Sequence, residues 1–200
     1  MMICTLRHET DSTIALRKLA SPGITGVLQR WWSGPLRGVA EIYIPYRLYM
    51  VSVEDRRFRR VQYYAVDSAS GALDPYEFAV VPESQDWNEA EAQNYHPVKV
   101  EERRTRELAM ETLRRRLFAR GFYRLTAPRL TAELIHPEFY VLYWVGFYGD
   151  DSDLNLKVVN AVRQSMEGSK VCCLLKTWLM EKPAEAPVLW ASRTSGSVKM

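Results

Sequence analysis

The chain has 200 residues, 47% of them hydrophobic and 26% charged, with a formal net charge of +3. That length buries a real core in one large domain or two small ones, and so small a charge does not require an anionic partner. No window approaches the roughly 18 apolar residues of a membrane span, and Met1 to Thr10 lacks the apolar stretch of a signal peptide.

The first expected helix is Ser12 to Ala20, where Ile14, Ala15, Leu16 and Leu19 precede the stop at Pro22-Gly23. A short second helix fits Thr25 to Trp32. Strands are expected at Arg37 to Ile44, Tyr46 to Val53, Arg59 to Val66 and Leu73 to Val81. The polar loop Glu54 to Arg57 suits a hairpin between them, and Ser70-Gly71 a tight turn. Residues 83–97 are polar and read as a linker.

Beyond it, Glu101 to Arg120 is rich in strong helix formers, repeats Ala109, Leu113 and Leu117 at helical spacing, and stops at Gly121. Strands follow at Arg129 to Ile135, Phe139 to Phe147 and Leu154 to Asn160. Lys170 to Met180 reads as a last helix ending before Pro183, and 183–200 as a flexible tail without periodicity. The units are therefore 1–82, a linker at 83–97, 98–182, and the tail.

Tyr43 to Asp74 and His136 to Glu167 resemble one another. Each has a proline entering an aromatic strand, a polar hairpin loop, a second strand, and then Val66-Asp67 or Val159-Asn160 opening a turn. These turns are 93 residues apart and the prolines, Pro45 and Pro137, 92 apart, so the alignment takes one gap. The expected fold class is α+β: two duplicated helix-plus-antiparallel-sheet units that can share one sheet.

The segment VDSASG, Val66 to Gly71, lies between two expected strands. Its Asp can cap backbone N–H groups of the turn while Gly supplies a positive φ. It resembles the Asp-x-x-Thr/Ser-Gly turn of PepSY-type domains, which are small helix-plus-sheet modules, often in tandem, found beside peptidases and in envelope proteins. The resemblance implies a fold and carries over no functional residue. The second copy departs from it, with Asn160 for Asp and Gln164 where Gly is expected, and the chain has no export signal of the kind usual in that family.

Four aromatic residues, Tyr46, Tyr49, Tyr143 and Trp144, stand in strands that carry aromatics on both faces. They are candidate binding residues wherever one face is left uncovered, and core or subunit interface otherwise. A cleft between the two halves is the other candidate site. Arg56, Arg57, Arg59 and Arg60 surround Phe58 at a hairpin tip, and with the arginines of the long helix they suit nucleic-acid phosphates. The competing reading is a solvated helix face paired with Glu107 and Glu111.

Asp150, Asp151 and Asp153 are explained by a polar hairpin tip and lack the calcium-loop pattern. His8, His96 and His136 have no zinc spacing with one another or with Cys172 and Cys173. No nucleophile elbow or phosphate-cradling loop occurs. The sequence thus points to a cytoplasmic, non-catalytic binding or scaffolding protein, with a protein partner or self-association and no cofactor or metal. The alternatives are a nucleic-acid binder and an enzyme whose site residues are dispersed. The three cysteines, Cys4, Cys172 and Cys173, suit a reducing compartment.

Overall fold

The computed structural model describes residues 1–20, 34–55, 58–119, 129–149 and 155–181. In chain order they form β1 (Met2–Leu6), α1 (Ser12–Ala20), β2 (Leu36–Asp55), β3 (Phe58–Asp67), β4 (Tyr76–Phe78), a 3₁₀ turn (Ser84–Asp86), β5 (Trp87–Glu91), α2 (Glu102–Ala119), β6 (Arg129–Tyr148), β7 (Asn155–Asn160), β8 (Ser165–Met166) and α3 (Ser169–Glu181). The class is α+β, with one mixed sheet of eight strands.

Its order is β4-β3-β2-β6-β1-β5, with β7 beside the C-terminal part of β6 and β8 beside β7. The two longest strands, β2 and β6, are antiparallel and pair with each other from Leu36↔Tyr148 to Glu54↔Arg129. One sheet therefore runs through both halves of the chain. All other pairings are antiparallel except β1 with β6, which meet in parallel at Thr5↔Tyr140.

Proline did not divide the strands as expected. Arg37 to Ile44 and Tyr46 to Val53 are one strand, and so are Arg129 to Ile135 and Phe139 to Phe147. Each proline sits where the neighbour along one edge changes, so its missing N–H breaks no ladder. At Pro45, β2 passes from the Asn94–His96 segment to β3. At Pro137, β6 reaches β1, beside register shifts that absorb the irregularity. The stretch 83–97 contains β5, which joins the sheet through β1, and the expected strand Leu73 to Val81 contracts to Tyr76–Phe78. The short helix at Thr25 to Trp32 and the tail 183–200 lie outside the described residues.

Both faces of the sheet carry core. On one face Ile42, Ile44, Tyr46, Phe139, Val141 and Tyr143 pack beneath Val171, Leu175 and Trp178 of α3. On the other, Val39, Tyr43, Leu142 and Trp144 meet Ala15 and Leu19 of α1. Further along that second face Tyr49, Val51, Val53 and Tyr64 meet Ala109, Leu113 and Leu117 of α2. The i, i+4 spacing in each helix gives the apolar stripe that the sheet requires. Asp11 caps α1, its Oδ1 accepting the Ile14 N–H at 2.8 Å.

Candidate binding surface

The four aromatic candidates are interior residues. Tyr46, Tyr49, Tyr143 and Trp144 are each at most 3% exposed. The fold brings Tyr46 and Tyr143 together and sends the other two to the opposite face. The Tyr46 and Tyr143 hydroxyls are 2.8 Å apart, with the Tyr76 hydroxyl 3.3 Å from that of Tyr143. The Asn160 side-chain amide donates to the Tyr76 oxygen at 2.5 Å, and the Arg163 guanidinium lies 4.1 Å from the centre of the Tyr76 ring. Burial pushes the Tyr46 and Tyr143 phenols well above their ordinary range and that of Tyr76 up to about 12. They are held protonated, as hydrogen-bonding groups rather than bases.

Tyr49 instead shares a hydrogen bond with Thr105 of α2 at 2.7 Å, and the Trp144 indole donates to the Thr10 carbonyl at 3.2 Å. Where the halves meet, a hydrogen-bonded ladder and these packed rings fill the space. Beside them a groove of about 280 Å³ has Leu6, Phe78 and Val80 of the first half and Val162 of the second in its walls.

The turns read from Val66-Asp67 and Val159-Asn160 have matching geometry. Asp67 Oδ1 accepts the N–H groups of Ala69 at 2.7 Å and Ser70 at 3.1 Å. Asn160 Oδ1 accepts those of Val162 at 3.1 Å and Arg163 at 2.9 Å. Tyr46 stands opposite Asp67 in its ladder, and Tyr143 opposite Asn160. The Asp-to-Asn difference has a chemical reason, because Asn160 Nδ2 donates to Glu167 Oε1 at 2.6 Å and to Tyr76. A carboxylate there would face another carboxylate. At Gly71 φ is +70°, and an added Cβ would lie 2.9 Å from Leu108 Cδ1. The matching position of the second turn is Gln164, which takes the same left-handed conformation, with a φ of 54°.

The arginines divide. Arg59 is exposed and Arg60 half-buried, while Arg56 and Arg57 lie outside the described residues. On α2, Arg103 and Arg104 pair with Glu107, Arg106 with Glu102, and Arg115 with Glu111. Arg116 pairs with Glu77 and lies over the Tyr64 ring at 5.4 Å. Much of the helix's positive charge is therefore met by its own glutamates.

Among the described residues no group of three metal-ligating side chains occurs, and Asp150, Asp151 and Asp153 fall outside them. His96 is 1% exposed, its Nδ1 2.8 Å from the Pro97 carbonyl, and His136 stacks on Trp87 with ring centres 4.7 Å apart. Burial raises the Cys4 and Cys172 thiols, helped by Glu89 and Glu167 respectively, which disfavours the thiolate.

Among the described residues, one part of the sheet is covered on a single face. Past Leu48, the paired ends of β2, β3 and β6 form an arm with α2 against its second face. On its first face Ser52 and Thr131 join hydroxyls at 2.7 Å in an exposed position, flanked by Val61 at 36% exposure and Ile135 at 37%. Met50 and Tyr63 lie half-buried between them. Sequence reasoning missed this surface because its apolar residues are few and spread over three strands. The usable signal was the alternation in Arg129 to Ile135, which sets Leu130, Ala132 and Leu134 apart from Arg129, Thr131, Glu133 and Ile135. Elsewhere a groove of about 410 Å³ runs beside Cys4, Trp87 and Glu89, and the one of about 280 Å³ beside Arg7, Phe78 and Val80.

No protein-family model, curated protein or solved structure matches the chain.

Proposed function

We propose that the chain is a non-catalytic binding or scaffolding protein that docks through the arm of its sheet. The observation that carries this reading is the arm's one-sided cover, with α2 on one face and Val61, Ile135, Met50 and Tyr63 toward the other. Across this face Arg59, Glu54 and Arg129 make a charged row at the arm's end. Val61, Ser52 and Thr131 follow, and then Tyr63, Met50 and Glu133, so apolar side chains alternate with polar and charged ones as they do at protein interfaces. The buried tyrosines serve this function indirectly, by holding the two long strands in one frame.

The same reading takes the halves as duplicates. Its support is the matching Asp67 and Asn160 turns and the like positions of Tyr46 and Tyr143. A reducing compartment suits the free thiols of Cys4, Cys172 and Cys173. Among the described residues no helix is long and apolar enough to cross a membrane.

The test compares proteins that co-purify with the native chain and with a Val61→Asp/Ile135→Asp variant, at low and high salt. Both positions are exposed, so the variant keeps its core. The reading expects an association that survives high salt and is lost in the variant. An association unchanged in the variant, or one that vanishes with salt and depends on Arg59 and Arg60, overturns it in favour of the nucleic-acid alternative or another surface.

A further inference from the structure

Among the described residues the arm also has a bare edge. Along its inner side β6 pairs with β2, but its outer side gains β1 only at Tyr140 and β7 only at Tyr143. Among the described residues no strand pairs with the outer side between Arg129 and His136. Such an edge presents a row of backbone donors and acceptors, and proteins normally guard it with lysine, proline or a bulge. Here the guards, Pro137 and the register shifts, stand at the far end of the stretch.

We propose that a second copy of the chain occupies this edge, the two β6 strands pairing antiparallel about a two-fold axis at Thr131. This rests on the reading of the arm as a docking element and names the occupant of its edge. The register follows from charge. With Thr131 on the axis, Arg129 faces the partner's Glu133, and Glu133 faces the partner's Arg129. With Glu133 on the axis two carboxylates meet, and with Ala132 on the axis neither charge has a counterpart. Like charges directly opposite destabilise a ladder and opposite charges support it.

The opposite face accepts the same register, since Leu130 then faces the partner's Ala132. The helices do not collide. α2 packs on residues of β2, β3 and β6, centred on β2, so the two copies of α2 lie about three strand spacings, roughly 14 Å, apart. That exceeds the roughly 8–10 Å of packed helices.

Sedimentation of the purified full chain gives the mass, and a dimer is expected. Arg129→Glu alters two symmetry-related contacts and weakens the dimer about tenfold, and Arg129→Glu/Glu133→Arg restores it to within about threefold. In a Cys173→Ser background, Thr131→Cys locks the dimer under mild oxidation, because facing Cα atoms about 4.5–5.5 Å apart suit a disulfide. Glu133→Cys does not, its two copies lying about 14 Å apart.

A monomer at every concentration overturns the inference, as does a dimer indifferent to the charge swaps or one cross-linked faster through Glu133→Cys. A monomer whose other associations are still lost in Val61→Asp/Ile135→Asp sinks the second copy and leaves the docking reading standing. Associations with other proteins that are indifferent to that variant sink the docking reading itself.

Discussion

Replacing Tyr143 with phenylalanine removes one oxygen from the middle of a buried chain and strands the group at its end. The Tyr46 hydroxyl, in a side chain with no exposed surface, has the Tyr143 hydroxyl as its hydrogen-bond partner at 2.8 Å. Losing it leaves a buried polar group unsatisfied, at about 1–3 kcal/mol. Tyr76 loses a longer contact of 3.3 Å but keeps the Asn160 amide, so its share is about 0.5 kcal/mol. Tyr143→Phe should therefore destabilise the fold by about 2–3 kcal/mol. Tyr46→Phe should cost only about 1 kcal/mol, because the Tyr143 hydroxyl still has Tyr76. The double variant removes both oxygens together and should cost little more than Tyr46→Phe alone. Equilibrium urea unfolding of the four proteins, followed by two probes, measures all these values. With a slope near 2–3 kcal/mol/M, Tyr143→Phe lowers the midpoint by about 1 M. A Tyr143→Phe loss no larger than that of Tyr46→Phe, or single losses that add to within about 0.5 kcal/mol, would refute the chain as drawn.

Asn160→Asp should cost about 3 kcal/mol at neutral pH, since it deletes the donors to Tyr76 and Glu167 and sets two carboxylates together. A variant as stable as the native chain in the same urea assay would remove the reason given for asparagine there. Burial raises the phenols of Tyr43 and Tyr76 to about 12, so the unfolded chain loses its protons first. Stability is then full below about pH 10 and falls from there toward about pH 12, by about 1.4 kcal/mol per pH unit for each tyrosine, and Tyr76→Phe should flatten the slope by that amount. Burial lowers His96, with Lys99 acting the same way and the Pro97 carbonyl, Asp67 and Glu181 opposing. Its contribution is present above about pH 6.5 and is lost as pH falls through the lower folded value. His96→Gln should make stability less sensitive to acid over that range, and an unchanged pH profile would refute it. Gly71→Ala should cost about 1–2 kcal/mol through its positive φ and the Leu108 contact, read as a drop in melting temperature.

The helices were legible because their signals are local. Asp11 caps α1, whose described span is the expected Ser12–Ala20, and the stripe from Ala109 to Leu117 marks α2. The joins at Pro45 and Pro137 were not, because a strand tolerates proline only when its neighbour there allows it, and neighbours are a property of the whole sheet. β5 escaped for a related reason: as an edge strand its WNEAE sequence is polar and looks like a linker. The paired turns at Asp67 and Asn160 were visible as Val-Asp and Val-Asn. The meeting of Tyr46 and Tyr143 was not, since it depends on the ladder between β2 and β6. Those tyrosines were marked as a candidate surface because aromatic density alone does not distinguish an interior ring from an exposed one.

The ladder between β2 and β6 also sets the order in which the molecule can be made. When a growing chain has reached the end of α2, β2 and β3 can already form their hairpin, but the other side of β2 has no β6 to meet. Between 75 and 112 residues separate the partners of that central ladder, from Glu54↔Arg129 to Leu36↔Tyr148, so it is among the last contacts a ribosome can supply and among the slowest to find. Until then the nascent chain carries its longest strand with an open side. A gene cut between the two halves should therefore yield an N-terminal fragment that clumps alone and is rescued when the C-terminal fragment is made beside it.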